Sequence, residues 1–79
     1  MNLEECRKQI NKIDSEILEL LKERMLYCWE IGVYKKENNL PIRNEQREQE
    51  LIDKLSIDEQ WNGMVKAIWP AIFEYSRSM

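Results

Sequence analysis

The sequence predicts an all-α fold: three helices per protomer, the first very long, in an intertwined homodimer. Three observations point there. No proline precedes Pro41 and the first glycine is Gly32, so the first half of the chain has little to stop a helix. Leu3, Cys6, Ile10, Ile13, Ile17, Leu20, Arg24, Tyr27, Ile31 and Tyr34 step by alternating threes and fours, a heptad seam widened by Leu21 and Cys28. A helix of about 36 residues runs roughly 54 Å. A compact globule of this chain length is only roughly 30 Å across. About half the seam must therefore meet another molecule, and a symmetric dimer is the commonest closed solution.

Each element follows from local chemistry. The first helix ends at "NNLP", residues 38 to 41, where asparagine suits the C-cap and proline lies just beyond. The second begins near Asn44 as N-cap, with Glu45 in the first turn and Leu51, Ile52 and Leu55 as its apolar stripe. The third is expected to begin near Ser56 to Asp58, with Trp61, Met64, Val65, Ile68 and Ile72 facing inward. Pro70 removes one of its backbone hydrogen bonds and is expected to kink it, which threatens the placement of Ser76. The tryptophans read as core or dimer-interface packing.

The 79 residues, 43% hydrophobic and 34% charged, form one domain, 1–79, marginal without a partner chain. Histidine is absent and Cys6 and Cys28 form no close pair, so neither a metal site nor a cofactor is expected. On one helix those cysteines lie roughly 33 Å apart, too far for a disulfide. Reduced thiols and a polar N-terminus, "MNLEECRKQI", fit the cytoplasm rather than export. A net charge of -3 disfavours nucleic acid, and no apolar run is long enough for a membrane.

The informative residues are charges where apolar side chains belong. Arg24 occupies a seam position, and Lys35, 11 residues on, points within about 20° of it. Glu48 precedes Leu51, Ile52 and Leu55 by three, four and seven residues, so it is on the inward stripe with Arg47 at its edge. Ser76 follows Ile72 by four and also faces inward. Arg7 is roughly 25 Å from Arg24 along the helix, and so reaches only a partner's pocket. Inward cations that outnumber the one carboxylate call for an anion, one with two negative charges. For any single residue the plainer reading is a stem laid on apolar surface with a wet head. For Arg47 and Glu48 it is a surface ion-pair ladder with Glu50 and Lys54. Lys8, Lys12, Lys22 and Lys36 read as solvated.

The stretches "RKQINKIDSEILELLKER", "GVYK" and "PIRNEQRE" together resemble the all-helical chorismate mutases. The similarity covers nearly the whole chain, and the first two-thirds carry its specific part. The resemblance implies an entwined dimer with two active sites that convert chorismate to prephenate in aromatic amino-acid biosynthesis, on the shikimate pathway. It places the carboxylate-binding arginines at Arg24, Arg47 and, from the neighbouring protomer, Arg7. The catalytic lysine falls on Lys35, the glutamate that holds the substrate hydroxyl on Glu48, and a carboxylate-positioning serine on Ser76. Asn44 stands where the family usually has aspartate; a backbone N–H contact there tolerates asparagine. The family's glutamine or glutamate beside the ether oxygen would follow Met79, so weakened catalysis is expected if that turn is lacking.

Two other readings compete. An isochorismate pyruvate-lyase uses the same fold and similar cations, although Glu48 and the Arg47–Glu48 pair favour the mutase. A dimeric helical interaction module without catalysis predicts that Arg24→Ala and Arg47→Ala are harmless.

Overall fold

A computed structural model describes residues 2–78. Met1 and Met79, the ends of the expected domain, lie outside the described residues, as does the position after Met79. Among the described residues there are three helices and no strand: α1 (Leu3–Glu37), α2 (Glu45–Leu55) and α3 (Asn62–Arg77). Helix α3 packs against both α2 and α1, whereas α1 and α2 do not pack on each other. No helix described is long and apolar enough to cross a membrane.

The ends of α1 are where the sequence puts them. Asn2 is the N-cap, its side-chain oxygen accepting from the Glu5 N–H at 2.8 Å, with Glu4 and Glu5 in the positive first turn. Asn39 ends the helix at φ 55°, the left-handed conformation that asparagine tolerates better than most residues. The Leu40 N–H then bonds the Lys35 carbonyl at 2.8 Å and the Asn39 N–H the Lys36 carbonyl at 3.4 Å. These two bonds make a Schellman cap with asparagine in the place of glycine. Asn44 caps α2, its side-chain oxygen taking the Arg47 N–H at 3.0 Å.

The start of α3 is a correction. It begins at Asn62, not near Ser56 to Asp58. The Asp58 carboxylate accepts from the Gln60 N–H at 3.1 Å and the Asp58 carbonyl from the Trp61 N–H at 2.9 Å. Aspartate here closes a tight turn before the helix instead of capping it, the alternative use of a short acidic side chain. The inward stripe is corrected too. Val65 and Phe73 are buried, and Trp69 and Ile72 are half-buried, while Trp61, Met64 and Ile68 are exposed. The covered face is rotated from the expected one by roughly 70°. Helix α3 is apolar on two sides, and periodicity alone does not choose between them.

The molecule measures 54 × 26 × 15 Å, with a radius of gyration of 15.8 Å. A compact chain of this length would have about 12 Å. Helix α1, roughly 52 Å long, sets the long axis. It has no buried residue. Its half-covered positions beneath α3 are Leu21, Arg24, Met25 and Cys28, whereas Ile10, Ile13, Ile17, Leu20, Tyr27, Ile31 and Tyr34 of the seam are exposed.

Candidate active site

Two polar clusters flank Phe73. The first joins α1 to α3. Arg24 is half-buried, and its Nη1 donates to the Ser76 Oγ at 3.0 Å and to the Cys28 Sγ at 3.4 Å. Its guanidinium carbon stands 5.7 Å from the centre of the Phe73 ring, within cation–π range. The Ser76 hydroxyl donates to the Ile72 carbonyl at 2.7 Å, one turn back, which leaves its oxygen free to accept from Arg24. Pro70 therefore does not displace Ser76: α3 is continuous through Arg77 and the serine still meets Arg24. Among the described residues no carboxylate pairs with Arg24.

The second cluster joins α2, α3 and the loop between α1 and α2. Glu48 is largely covered, with 18% of its side chain exposed. Arg77 grips its Oε2, and the Arg43 Nε lies 3.5 Å from its Oε1. Arg43 also pairs with Glu45 at 3.3 Å. These four charged groups line an open cleft of about 290 Å³ whose apolar wall is Ile52, Pro70 and Phe73. Beside it, Lys35, Arg43 and Asn44 line a second depression of about 350 Å³. The Lys35 ammonium donates to the Ile42 carbonyl at 3.0 Å, so it leans over the loop that carries Arg43.

The expected site residues thus fall into two groups. Arg24 pairs with Ser76 on the α1 side of Phe73, Glu48 lines the cleft on the α2 side, and Lys35 and Asn44 line the neighbouring depression. Arg7 and Arg47 do not join them. Both are exposed in the protomer. The Arg47 backbone N–H donates to the Asn44 side-chain oxygen.

Sequence reasoning gave Arg43 and Arg77 no role. Arg77 had a signal: it follows Phe73 by four residues and so shares its face of α3. Arg43 had none, because a loop has no period from which to read direction.

The chorismate mutase type II family profile matches residues 6–79. The chain is similar to a bifunctional chorismate mutase/prephenate dehydratase of Aquifex aeolicus, 47% identical over 53 residues, which is 67% of this chain and 15% of that protein. A protein of the same description from Buchnera aphidicola subsp. Acyrthosiphon pisum is 43% identical over 62% of this chain and 13% of its own length. A chorismate mutase of Methanocaldococcus jannaschii is 34% identical over 67% of this chain and 54% of its own length. The chain spans less than two thirds of each of these relatives. No solved structure matches it significantly. The match runs from Cys6 to the last residue, and the chain belongs to the chorismate mutase type II family.

Proposed function

We propose that the protein is a chorismate mutase, rearranging chorismate to prephenate within a homodimer. The observation that carries this is Arg24. A half-buried guanidinium held by a hydroxyl, a thiol and an aromatic face has its orientation fixed, yet no carboxylate of the described residues neutralises it. Partial burial of an uncompensated cation carries a cost, and an anionic ligand reduces it. Chorismate carries two carboxylates.

The reaction is a single pericyclic step in which the ether C–O bond breaks as a C–C bond forms, so no proton moves and no nucleophile is needed. The protein has two tasks. It holds the flexible enolpyruvyl arm over the ring by clamping both carboxylates, for which planar, bidentate arginines are suited. Arg24 with Ser76, Arg47 and the neighbouring protomer's equivalent of Arg7 supply the clamp. It also stabilises negative charge growing on the ether oxygen, a role given to Lys35 as a fixed cation. Glu48 accepts from the substrate hydroxyl, and the backbone at Asn44 adds a further contact. Free cysteines at 6 and 28 agree with action in the cytoplasm.

The dimer follows from the same surfaces. The exposed seam of α1 and the exposed face of α3 (Trp61, Met64 and Ile68) need a cover. A second protomer laid along α1 covers the seam and brings an Arg7 towards the Arg24 site. It also turns the outward Arg47 into an interior group.

The test is the loss of chorismate absorbance on adding the purified protein, with Arg47→Ala as control and the product identified. Prephenate formation that collapses in Arg47→Ala, while helical circular dichroism is unchanged, supports the proposal. No turnover by the unaltered protein, or pyruvate as product, overturns it.

A further inference from the structure

We propose that Arg77 is a positioning residue for Glu48: it fixes the carboxylate that receives the substrate hydroxyl, and acts on the reaction only through it. The inference rests on the chorismate mutase reading above and adds a group which that reading does not use.

Glu48 sits on α2, and nothing within α2 orients its side chain towards the cleft. Its two oxygens are held from different directions. Oε2 is taken by Arg77 at the end of α3, and Oε1 faces Arg43 of the preceding loop at 3.5 Å. The two cations are not equivalent. Arg43 is 55% exposed and shares itself with Glu45, whereas Arg77 is 26% exposed and Glu48 is its carboxylate partner among the described residues. A water-screened, shared pair constrains little, and a half-covered pair constrains more. Arg77 therefore sets the carboxylate's position, and Arg43 trims it.

Geometry also separates Arg77 from the carboxylate clamp. It follows Ser76 directly, so the two side chains diverge by about 100° around α3. Ser76 meets Arg24 on the α1 side, whereas Arg77 meets Glu48 on the α2 side. Phe73 stands between, facing the Arg24 guanidinium and lining the Glu48 cleft. The last turn of α3 thus serves the two clusters with consecutive residues. A carboxylate keeps several acceptor directions after taking two donors, so Glu48 held this way can still accept from a hydroxyl.

The experiment is a double-mutant cycle with chorismate as substrate. It measures kcat and KM for the unaltered protein, Arg77→Ala, Glu48→Gln and the double variant, with Arg77→Lys as the conservative exchange and an unfolding midpoint for each. Arg77→Met, which keeps the aliphatic stem, replaces Arg77→Ala if that variant loses its helical signal. The expected result is about a tenfold loss of kcat/KM in Arg77→Ala, mostly in KM as for a lost binding contact. Arg77→Lys should recover much of it, and in the Glu48→Gln background the same exchange should change kcat/KM by less than about twofold. Equal losses in both backgrounds would mean that Arg77 binds substrate itself, and would overturn the inference. So would an active protein indifferent to Arg77→Ala. An unaltered protein that does not turn over chorismate removes the functional reading and this inference with it.

Discussion

Between Leu21 and Lys35 one face of α1 lies beneath α3 or against its own loop, and the polar groups of that face have partners, Arg24 on Ser76 and Lys35 on the Ile42 carbonyl, while Tyr27, Ile31 and Tyr34 of the seam stay exposed. From Leu3 to Leu20 the same helix has apolar side chains at the same seam spacing and nothing over them. Leu3, Ile10, Ile13, Ile17 and Leu20 are between 47% and 66% exposed. The difference teaches that one periodic pattern can encode two contacts. Where the chain can return, the seam is interrupted by a charged residue and becomes a site. Where it cannot, the seam stays apolar and is fit to bind a copy of itself. Burying what remains exposed on each of those side chains stabilises by about 1 kcal/mol, so five on each of two protomers in the proposed dimer would contribute about 10 kcal/mol, the same order as the cost of association.

The comparison breaks most completely at Ile13 and Ile17. Charging both, as Ile13→Glu with Ile17→Glu, should abolish the dimer in light scattering and reduce turnover to background. A variant that stays dimeric and active removes the N-terminal half of α1 from the interface. Next in size is Arg24→Ala, expected to lower kcat/KM by about 10²–10³-fold, the loss seen when one preorganised donor is removed. Its unfolding midpoint should hardly fall, because Ser76 stays bonded to Ile72. A large drop in stability with activity retained would make Arg24 structural.

The two halves can also be set against each other. If Arg7 serves the partner's site, mixing inactive Arg7→Ala with inactive Arg24→Ala should restore about a quarter of full activity. Random pairing makes half the dimers hybrid, and one of the two sites in each is then intact. No recovery after subunit exchange argues that Arg7 acts within its own protomer. The smallest effect lies at the end of α1. Asn39→Gly should raise stability by up to about 1 kcal/mol in denaturant titration, because glycine meets no steric penalty at positive φ. Destabilisation would mean that the asparagine side chain contributes more than its backbone tolerance.

Much of this was legible in the sequence, for unequal reasons. Helix α1 is readable because between Leu3 and Glu37 only Gly32 opposes a helix, and its asparagine caps use short-range chemistry. Arg24, Glu48 and Ser76 were readable because each breaks or continues an apolar stripe. Helix α3 was misread in two ways. Asp58 can cap a helix or close a turn, and only the chain beyond it decides. Phe73 was passed over because Trp61, Met64 and Ile68 form an equally regular apolar line on the neighbouring face. Helical periodicity reports that a face is apolar, not which neighbour it meets. The surroundings of Arg47 likewise depend on what packs against α2, which no spacing within α2 encodes.

Lys35 is tied to the loop that follows it at both ends of the residue: its carbonyl receives the Leu40 N–H, and its ammonium reaches the Ile42 carbonyl. Loops are ordinarily where a family adds and loses residues freely. Here an insertion between Asn38 and Asn44 would drag the lysine from its place as surely as it would lengthen the turn. The connection between the first two helices behaves as a gauge block: its length is part of the calibration of a single positive charge.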